Sequence, residues 1–369
     1  MGFSGPQATA ETPSDCGAPA ALDDNWPVSA PQDQGFDPAV LCTIAPRLGA
    51  RKGANVHAVI VARHGTLVYE RYFSGKDERW GTPLGLVNYD AGMVHDVRSI
   101  TKSITSLVVG IAFDKGWIEN LDTPVLSFFP EYAELRSPEK ERITLRHLLM
   151  MATGLAWDEG LPYSNPENSE NRLYEAADPY RYVLERPVAG PPGELFNYCT
   201  GAPTLLGAVL RKATGKQFDV LAQEVLFDPL GIVQSEWIHF DNGDTMAGGG
   251  LRLRPRDLAK IGQLVLAHGA WHGKQVVSAE WIAASTAPHL NTETMYFYGY
   301  QWWLGRSLAG GRQVDWIAAR GYGGQRLFIV PSQDIVVVVL AGHYDGSPLE
   351  GLIGASVLNQ AVLPAVASR

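Results

Sequence analysis

Strand patterns lie at the two ends of this chain, and helix patterns fill the middle. Residues 56–62 and 66–72 are rich in β-branched and aromatic side chains and are separated by a short turn sequence, which is the pattern of a hairpin. Further strand patterns follow at 298–304, 325–330 and 334–340. Strands that lie far apart in sequence predict one antiparallel sheet with an insertion between its two parts.

The segment between the two strand regions carries repeated helix patterns punctuated by Pro and Gly. A longer apolar helix pattern at 99–114 precedes that segment, and a last one at about 349–366 ends the chain. We therefore predict an α/β fold in which an antiparallel sheet is flanked by helices and interrupted by a mostly helical region. The predicted division is an N-terminal arm at 1–35, an α/β domain at 36–118 and 289–369, and a mostly helical domain at 119–288.

The composition argues against several classes of partner. Lys and Arg number 30 against 39 Asp and Glu, which gives a net charge of −9, and no basic run is longer than a pair. We therefore expect no binding to nucleic acid. The longest apolar stretches, 107–113 and 335–342, are far shorter than the roughly 18 residues that cross a bilayer, so we expect no membrane partner. The sequence leaves the oligomeric state open.

Two of the three cysteines lie near the N-terminus. Cys16 lies in the arm and Cys42 in the first predicted helix, at 38–48, so the two either form a disulfide that ties the arm to the body or remain free thiols. No basic segment followed by an apolar segment precedes Cys16. We therefore expect a periplasmic or secreted location if an export signal has been removed, and a cytoplasmic one otherwise.

A Ser-x-x-Lys motif, Ser99 to Lys102, stands at the start of the 99–114 helix. A spacing of three places the hydroxyl and the amine on one helix face, within hydrogen-bond reach. A lysine takes a serine proton only if its pKa is lowered, and we expect the apolar neighbours to lower the pKa of Lys102. The alternative is a capping serine beside a solvated lysine, because so short a motif also arises by chance.

Two other segments have a character that fits the same chemistry. Tyr198 lies in a turn before a predicted helix at 201–210, where a phenol can carry a proton. Gly323 and Gly324 precede an apolar strand, so a substrate can approach the main chain closely there. A main-chain N–H at such a strand edge can bind an oxyanion.

With these motifs the sequence resembles the serine β-lactamase-like family, in its branch of class C and penicillin-binding-protein-related hydrolases and esterases. The resemblance covers about residues 25–365. The first family motif matches at Ser99 and Lys102, the second at Tyr198, and the third at 322–324. The sequence looks most like the subgroup that contains 6-aminohexanoate-dimer hydrolase and carboxylesterases.

This resemblance implies a serine hydrolase that works through an acyl-enzyme. Ser99 would attack a carbonyl carbon, Lys102 would accept its proton, and Tyr198 would carry protons to the leaving group and from water. The N–H groups of Ser99 and of Gln325 or its neighbour would bind the oxyanion. We expect no cofactor and no metal.

Two departures from the family pattern bear on the substrate. Thr200 replaces the asparagine of class C β-lactamases, and Tyr322 replaces the lysine that meets the β-lactam carboxylate. We therefore expect a small-molecule ester or amide as substrate. The alternatives are a β-lactamase or D-alanyl-D-alanine carboxypeptidase, and a penicillin-binding or sensor protein without turnover. The residues that we expect to contact the substrate are Tyr322, Gly323, Gly324, Trp157, Tyr163 and Thr200.

Other catalytic patterns are weaker in this sequence. The Gly-x-Ser-x-Gly motif of many Ser-His-Asp hydrolases is absent. His268 and His272 have the spacing of a metal pair on a helix, but a glycine follows each of them, which favours a turn.

Overall fold

The structure, a computed structural model, describes residues 16–292 and 294–366. Residues 1–15 of the predicted N-terminal arm lie outside the described residues. The strands are β1 (Val56–Arg63), β2 (Thr66–Tyr72), β3 (Ser74–Arg79), β4 (Thr82–Asn88), β5 (His95–Asp96), β6 (Ser235–Trp237), β7 (Leu251–Leu253), β8 (Ala270–Trp271), β9 (Lys274–Gln275), β10 (Leu290–Asn291), β11 (Phe297–Tyr298), β12 (Trp303–Ala309), β13 (Arg312–Gly321), β14 (Gln325–Val330) and β15 (Ile335–Ala341). The α-helices are α1 (Pro38–Leu41), α2 (Ile44–Ala50), α3 (Ile100–Asp114), α4 (Leu145–Leu149), α5 (Ser169–Glu175), α6 (Pro179–Glu185), α7 (Gly201–Thr214), α8 (Phe218–Ala222), α9 (Pro255–Leu266), α10 (Ala279–Ser285), α11 (Leu349–Val357) and α12 (Leu363–Ala365).

Eight of the strands form one antiparallel sheet in the order β10-β11-β12-β13-β14-β15-β1-β2. The N-terminal hairpin joins the C-terminal strands because β1 pairs with β15, with Ile60 opposite Val338. Every residue of β1, β14 and β15 is buried, and these three strands are neighbours in the sheet. The prediction of an antiparallel sheet built from both ends of the chain is confirmed.

The two faces of the sheet pack into two separate apolar clusters. On one face, Val59 and Val337 pack in one cluster with Ile353 of α11. On the other face, Ile60 and Val338 belong to the cluster that contains α3 and α9. Side chains of a strand alternate between faces, so a strand buried on both faces reads as an unbroken apolar run. This explains the sequence of β15.

Helix α9 packs directly on the sheet. A side chain at Gly262 would meet those of Val336 and Leu327 at 2.6 and 2.8 Å, so the absence of one lets the helix approach the strands closely. The helical layer on this face therefore contains both α3 and α9, and α9 comes from segment 119–288. The division of the chain at 118 and 288 stays a prediction.

The structure contains strands that the sequence patterns do not predict, among them β4 and β13. Residues 81–96 are rich in Gly and Asp, which is the composition of a loop, yet β4 lies within them and pairs with β3. Since β4 is exposed along most of its length, no apolar alternation marks it. The long strand β13 was also missed, because exposed polar residues interrupt its apolar pattern.

The N-terminal arm is tied to the body of the protein. Cys16 and Cys42 form a disulfide across a Cα to Cα distance of 5.5 Å. Cys199 is buried and is a free thiol. Among the described residues, no helix combines the length and the apolar character that crossing a bilayer requires.

Candidate active site

Helix α3 is buried on all sides, from Ile100 to Ala112. A helix whose side chains are apolar or small on every face belongs in a core, and α3 packs in the apolar cluster on one face of the sheet. Ser99 is the N-cap residue of this helix and already has helical angles, with φ −63° and ψ −5°. The predicted nucleophile is therefore carried by a rigid, buried element.

The turn before Ser99 has an unusual conformation. Arg98 has a φ of 51°, which non-glycine residues seldom adopt. Its guanidinium lies 2.5 Å from Glu78 and 3.3 Å from Asp96, and it stacks 4.6 Å from the ring centre of Trp80. These contacts hold the strained turn that presents Ser99.

Ser99 and Lys102 are in direct contact. Nζ of Lys102 lies 2.8 Å from Oγ of Ser99 and 2.7 Å from the carbonyl oxygen of Gly248. The Lys102 residue is only 1% exposed. The two oxygens fix the position of the amine, so the structure brings together the pair that the Ser-x-x-Lys spacing predicts.

Tyr198 completes a cluster of three side chains. Nζ of Lys102 lies 5.0 Å from the centre of the Tyr198 ring. Burial raises the pKa of the Tyr198 phenol, while the charge of Lys102 and a hydrogen bond with Ser99 lower it in part, and the net pKa is above its ordinary value. The phenol therefore contacts both members of the Ser-x-x-Lys pair.

The environment of Lys102 is not the apolar wall that the sequence predicts. Burial alone lowers the pKa of Lys102, as expected. The oxygens of Tyr198, Glu170 and Glu159 raise it by more, so the pKa lies above its ordinary value. The expected lowering of this pKa is wrong, because buried carboxyl groups lie near the amine. These oxygens therefore favour the ammonium form of Lys102.

A carboxyl group, that of Glu159, lies beside the second motif. It accepts hydrogen bonds from the N–H of Thr200, from the hydroxyl of Thr200 at 2.7 Å and from the indole N–H of Trp157 at 2.5 Å. Burial and the charge of Glu170 raise the pKa of Glu159 to about 8, although Lys102 and Thr200 act in the opposite direction. Glu159 therefore carries a proton at neutral pH.

A second carboxylate, that of Glu170, lies on the other side of Thr200. It is 5% exposed and accepts hydrogen bonds from the hydroxyls of Tyr163 at 2.6 Å, Tyr174 at 2.5 Å and Thr200 at 3.3 Å.

Sequence reasoning missed both Glu159 and Glu170 because segment 158–170 has neither a helix nor a strand pattern. The available signal was the length of that segment, since long loops without regular structure often carry function.

Two of the predicted substrate contacts lie behind the cavity wall. Trp157 is buried, and its ring packs edge to face against Tyr182 at 5.9 Å. Thr200 is fully buried, with its hydroxyl bound to Glu159. Neither residue borders the cavity at Ser99, and their contact with substrate stays a prediction.

A cavity of about 290 Å³ opens at Ser99. Much of its wall is aromatic: the rings of Tyr163 and Tyr322 lie 4.6 Å apart, and those of Trp80 and Tyr174 lie 5.4 Å apart. Two predicted substrate contacts, Tyr163 and Tyr322, therefore lie at the cavity. The lining residues are Glu78, Trp80, Gly81, Arg98, Ser99, Tyr163, Glu170, Asn171, Tyr174, Gly249, Tyr322 and Tyr344.

The third motif forms the turn between β13 and β14. The Tyr322 hydroxyl donates a hydrogen bond of 2.6 Å to the carbonyl oxygen of Tyr344, which fixes its ring in the wall. Gly323 and Gly324 have φ angles of 86° and 97° and form the turn, but they do not border the cavity. At Gly321, a Cβ would lie 2.3 Å from the main chain that leads into α3, so this close approach needs glycine.

Gln325 is fully buried and holds this turn against β15. Its side-chain amide donates to the carbonyl oxygens of Tyr322 at 3.1 Å and Ala341 at 2.6 Å, and accepts from the N–H of Ala341 at 3.0 Å. Gln325 does not border the cavity, whereas Tyr322 does. The oxyanion role of the Gln325 N–H stays a prediction, as does that of the Ser99 N–H at the start of α3.

The cavity has little free positive charge. Among its lining residues in the described part of the chain, Arg98 is the only cation, and Glu78 pairs with it. Arg320 stacks on the ring of Trp303 at 4.8 Å, and Arg326 is buried against main-chain carbonyl groups. Neither of these arginines borders the cavity.

Comparisons with known proteins agree with this arrangement. The family model described as Beta-lactamase matches residues 43–351. A 6-aminohexanoate-dimer hydrolase of Paenarthrobacter ureafaciens is 27% identical over 282 residues, which cover 70% of this chain and 69% of the relative. Esterase EstB of Burkholderia gladioli is 28% identical over 181 residues, 47% of this chain and 44% of EstB. The solved structure of an octameric penicillin-binding protein homologue from Pyrococcus abyssi superposes with a TM-score of 0.63 at 21% identity, covering 86% of this chain and 75% of that one, so the two share a fold.

Proposed function

The chain belongs to the beta-lactamase family, and from this we propose that it is a serine hydrolase that cleaves ester or amide bonds of small molecules. The observation that carries the proposal is the 2.8 Å contact between Nζ of Lys102 and Oγ of Ser99, with Tyr198 beside both and a cavity in front. A hydroxyl becomes a nucleophile when a neighbouring group takes its proton. The names of the two relatives, a dimer hydrolase and an esterase, are consistent with this reaction type.

The first half of the proposed reaction forms an acyl-enzyme. Nζ of Lys102 donates a hydrogen bond to Oγ of Ser99, which leaves the serine proton free to turn toward the Tyr198 phenol. The Lys102 amine and the Tyr198 phenol, here called the Lys102–Tyr198 pair, first lose one proton to solvent. Oγ of Ser99 then attacks the substrate carbonyl carbon, and the serine proton passes to this pair. The N–H of Ser99, at the positive end of α3, supports the oxyanion. The bond to the leaving group then breaks, and the pair gives its proton to that group.

The second half returns the enzyme to its starting state. A water molecule attacks the acyl carbon and gives a proton to the Lys102–Tyr198 pair. The bond between that carbon and Oγ breaks, Ser99 regains the proton, and the carboxylic acid leaves. Glu159 and Glu170 are positioning residues in this scheme, because they act through Thr200 and through the charge of Lys102.

The proposed substrate is uncharged next to the scissile bond. The cavity cation, Arg98, is already paired with Glu78, and five of the twelve lining residues are aromatic. Ser99 and Tyr322 come from the proposed α/β domain, while Tyr163 and Glu170 come from segment 119–288. We infer that the substrate binds between these two parts of the chain, as small-molecule sites at domain boundaries often do.

A chromogenic ester tests the proposal. Wild-type protein should turn over p-nitrophenyl butyrate steadily, and Ser99→Ala should lower kcat by a factor on the order of 10³ or more. The matched control is Ser106→Ala on the same helix, whose buried hydroxyl has no hydrogen-bond partner among the described residues and whose loss should leave kcat unchanged. Full activity in Ser99→Ala would refute the proposal. A single stoichiometric burst without turnover would instead support the penicillin-binding or sensor alternative.

Tyr198→Phe tests the proton carrier. Loss of the phenol should lower kcat by a factor of about 10² to 10⁴, the usual contribution of general acid–base catalysis. The control is Tyr182→Phe, which removes a buried hydroxyl that has no hydrogen-bond partner in the described part of the chain. Equal activity of the two variants would remove Tyr198 from the mechanism.

A further inference from the structure

Three buried side chains that the hydrolytic mechanism does not use meet between β1, β3 and β5. These residues, His57, Asp77 and His95, are 0%, 6% and 0% exposed. Nδ1 of His57 lies 2.7 Å from Nε2 of His95, and the carboxylate oxygens of Asp77 lie 3.8 and 3.7 Å from those two nitrogens. No short motif in the sequence links the three residues, because the fold brings them together from separate strands.

Hydrogen bonds to the outer nitrogens decide which imidazole nitrogens carry protons. Nδ1 of His95 lies 2.8 Å from the carbonyl oxygen of Asp96, which can only accept, so Nδ1 carries the proton. Nε2 of His57 lies 3.3 Å from Oδ1 of Asn55, whose amide nitrogen already donates to two carbonyl groups. That Nε2 is therefore also protonated. Nδ1 of His57 and Nε2 of His95, which face each other at 2.7 Å, therefore both lack a proton and each presents a lone pair to the other.

Two facing lone pairs repel each other unless a positive charge lies between them. The carboxylate of Asp77 turns toward the same point, and its Oδ1 is buried without a hydrogen-bond partner among the described residues. Its Oδ2 accepts a hydrogen bond from the Tyr89 hydroxyl. A buried carboxylate oxygen without a hydrogen-bond partner is costly. A cation placed between the two imidazole nitrogens and this carboxylate would satisfy all three groups.

A shared proton is one candidate for that cation, but burial opposes it. His57 and His95 are both 0% exposed, so a proton shared between them would place a charge away from solvent, which is costly. Neutral imidazole is the form that binds metal ions.

We propose that His57, His95 and Asp77 bind a divalent transition-metal ion, and that zinc is the ion their chemistry fits best. Two imidazole nitrogens and one carboxylate oxygen are a common ligand set for zinc. Each Asp77 oxygen lies 3.7 or 3.8 Å from one of the two nitrogens, which are themselves 2.7 Å apart. Two ligand atoms bound to one ion at about 2.0 to 2.2 Å lie at most about 4.4 Å apart, so these separations fit a shared ion. The Asp96 carbonyl and the Asn55 amide orient the imidazoles, as outer partners of metal ligands do.

The proposed ion has a structural role near the active site. It joins β1 and β3 to β5, which lies just ahead of Ser99 in the chain. Asp96, the residue after His95, accepts a hydrogen bond from the N–H of Trp80 and pairs with Arg98. Both Trp80 and Arg98 line the cavity. The metal site therefore stabilises one wall of the cavity and does not depend on the proposed hydrolase activity.

Metal content tests the proposal directly. The full chain is purified without a polyhistidine tag and without chelator, and its metals are measured by mass spectrometry. We expect about one zinc per chain in the wild type and a nearly complete loss in Asp77→Asn, which keeps the side-chain shape and the contact with Tyr89. The matched control is His343→Gln: His343 is a buried histidine that accepts from the N–H of Asn55, and this variant should keep the zinc.

A second measurement uses the wild type alone, in case Asp77→Asn fails to fold. Removing zinc with a strong chelator should lower the midpoint of thermal unfolding by about 5 °C or more, and added zinc but not magnesium should restore it. Cobalt should replace the zinc and give the visible absorption of a cobalt–imidazole site. Wild-type protein that binds neither zinc nor cobalt, and whose unfolding midpoint is the same with chelator and with zinc, would overturn the proposal and assign the imidazole pair to a shared proton.

Discussion

The hydroxyl of Thr200 donates a hydrogen bond of 2.7 Å to the carboxyl group of Glu159. Thr200 lies two residues beyond Tyr198 in the chain. The main-chain N–H of Thr200 donates to the same group. The main chain that carries Tyr198 is therefore anchored to a glutamate that is protonated at neutral pH. When Glu159 loses that proton, a second negative charge arises beside Glu170, so the stability of this region depends on pH.

Glu159→Gln should change the pH dependence of stability. The pKa of Glu159 in the folded protein is about 8, above the ordinary value of 4.5. Between these two pH values the folded state holds a proton that the unfolded state has lost, so this group's contribution to the free energy of unfolding falls as pH rises. Urea unfolding at pH 5, 6, 7 and 8 should therefore show Glu159→Gln gaining stability relative to wild type as pH increases.

The control for this prediction is Glu175→Gln, an exposed glutamate at the end of α5. Its difference in unfolding free energy from wild type should stay constant across the same pH range. A constant difference for Glu159→Gln as well would show that Glu159 has an ordinary pKa.

Hydrolysis of a neutral ester should rise with pH. The Lys102–Tyr198 pair must lose a proton before it can accept the proton of Ser99, and the nearby carboxyl groups raise the pKa of Lys102. Glu170→Gln removes the negative charge of Glu170, so the rising limb of kcat/KM should move to lower pH by about one unit. Profiles of p-nitrophenyl butyrate hydrolysis from pH 5 to 9 would measure the shift, with Ser99→Ala as the background. Glu175→Gln should cause no shift, and a limb that moves to higher pH in Glu170→Gln would contradict the assigned role of this carboxylate.

Substrates without a carboxylate beside the scissile bond should be preferred. A missing charge-assisted hydrogen bond corresponds to about 10- to 150-fold in kcat/KM, and the cavity cation Arg98 is already paired with Glu78. Wild-type protein should therefore hydrolyse p-nitrophenyl butyrate at least this much more efficiently than nitrocefin. Tyr322→Lys should lower the ratio of kcat/KM for p-nitrophenyl butyrate to kcat/KM for nitrocefin. Tyr322→Phe, which keeps the ring, should leave this ratio unchanged. Faster hydrolysis of nitrocefin by the wild type would show that a cation does bind the carboxylate.

The disulfide should contribute to stability. Cys16 and Cys42 are 26 residues apart, and closing a loop of this length stabilises a protein by about 3 to 4 kcal/mol in the chain-entropy model. Cys16→Ala should lower the free energy of unfolding by about this amount, and adding Cys42→Ala should cost little more. Thiol titration of unfolded, non-reduced protein should find one free thiol per chain, that of Cys199. Three free thiols would refute the prediction.

Local patterns were enough to predict part of this molecule. The runs that form β1 and β14 are mostly apolar and that of β15 is apolar throughout, so they predict buried strands from the sequence alone. The Ser99–Lys102 contact depends only on helical spacing, which the sequence states directly. Tyr198 was recognised from the resemblance to a family, since nothing local places it beside Ser99.

The remaining features depend on contacts that the fold creates. Glu159 lies in a polar loop and Glu170 in the first turn of the short helix α5. Only the fold places them around Thr200. The raised pKa of Lys102 follows from those glutamates, so it could not be predicted without them. The same holds for His57 and His95, which lie on different strands and meet only in the folded protein.

Acylation of Ser99 is the central claim, and mass spectrometry tests it most directly. Wild-type protein is treated with a fluorophosphonate, or with a slowly hydrolysed ester and rapid acid quenching, and then digested. The account predicts one added group per chain, carried by the peptide that contains Ser99, with no label in Ser99→Ala and full label in Ser106→Ala. Label on any other residue of the wild type, or undiminished label in Ser99→Ala, would contradict it.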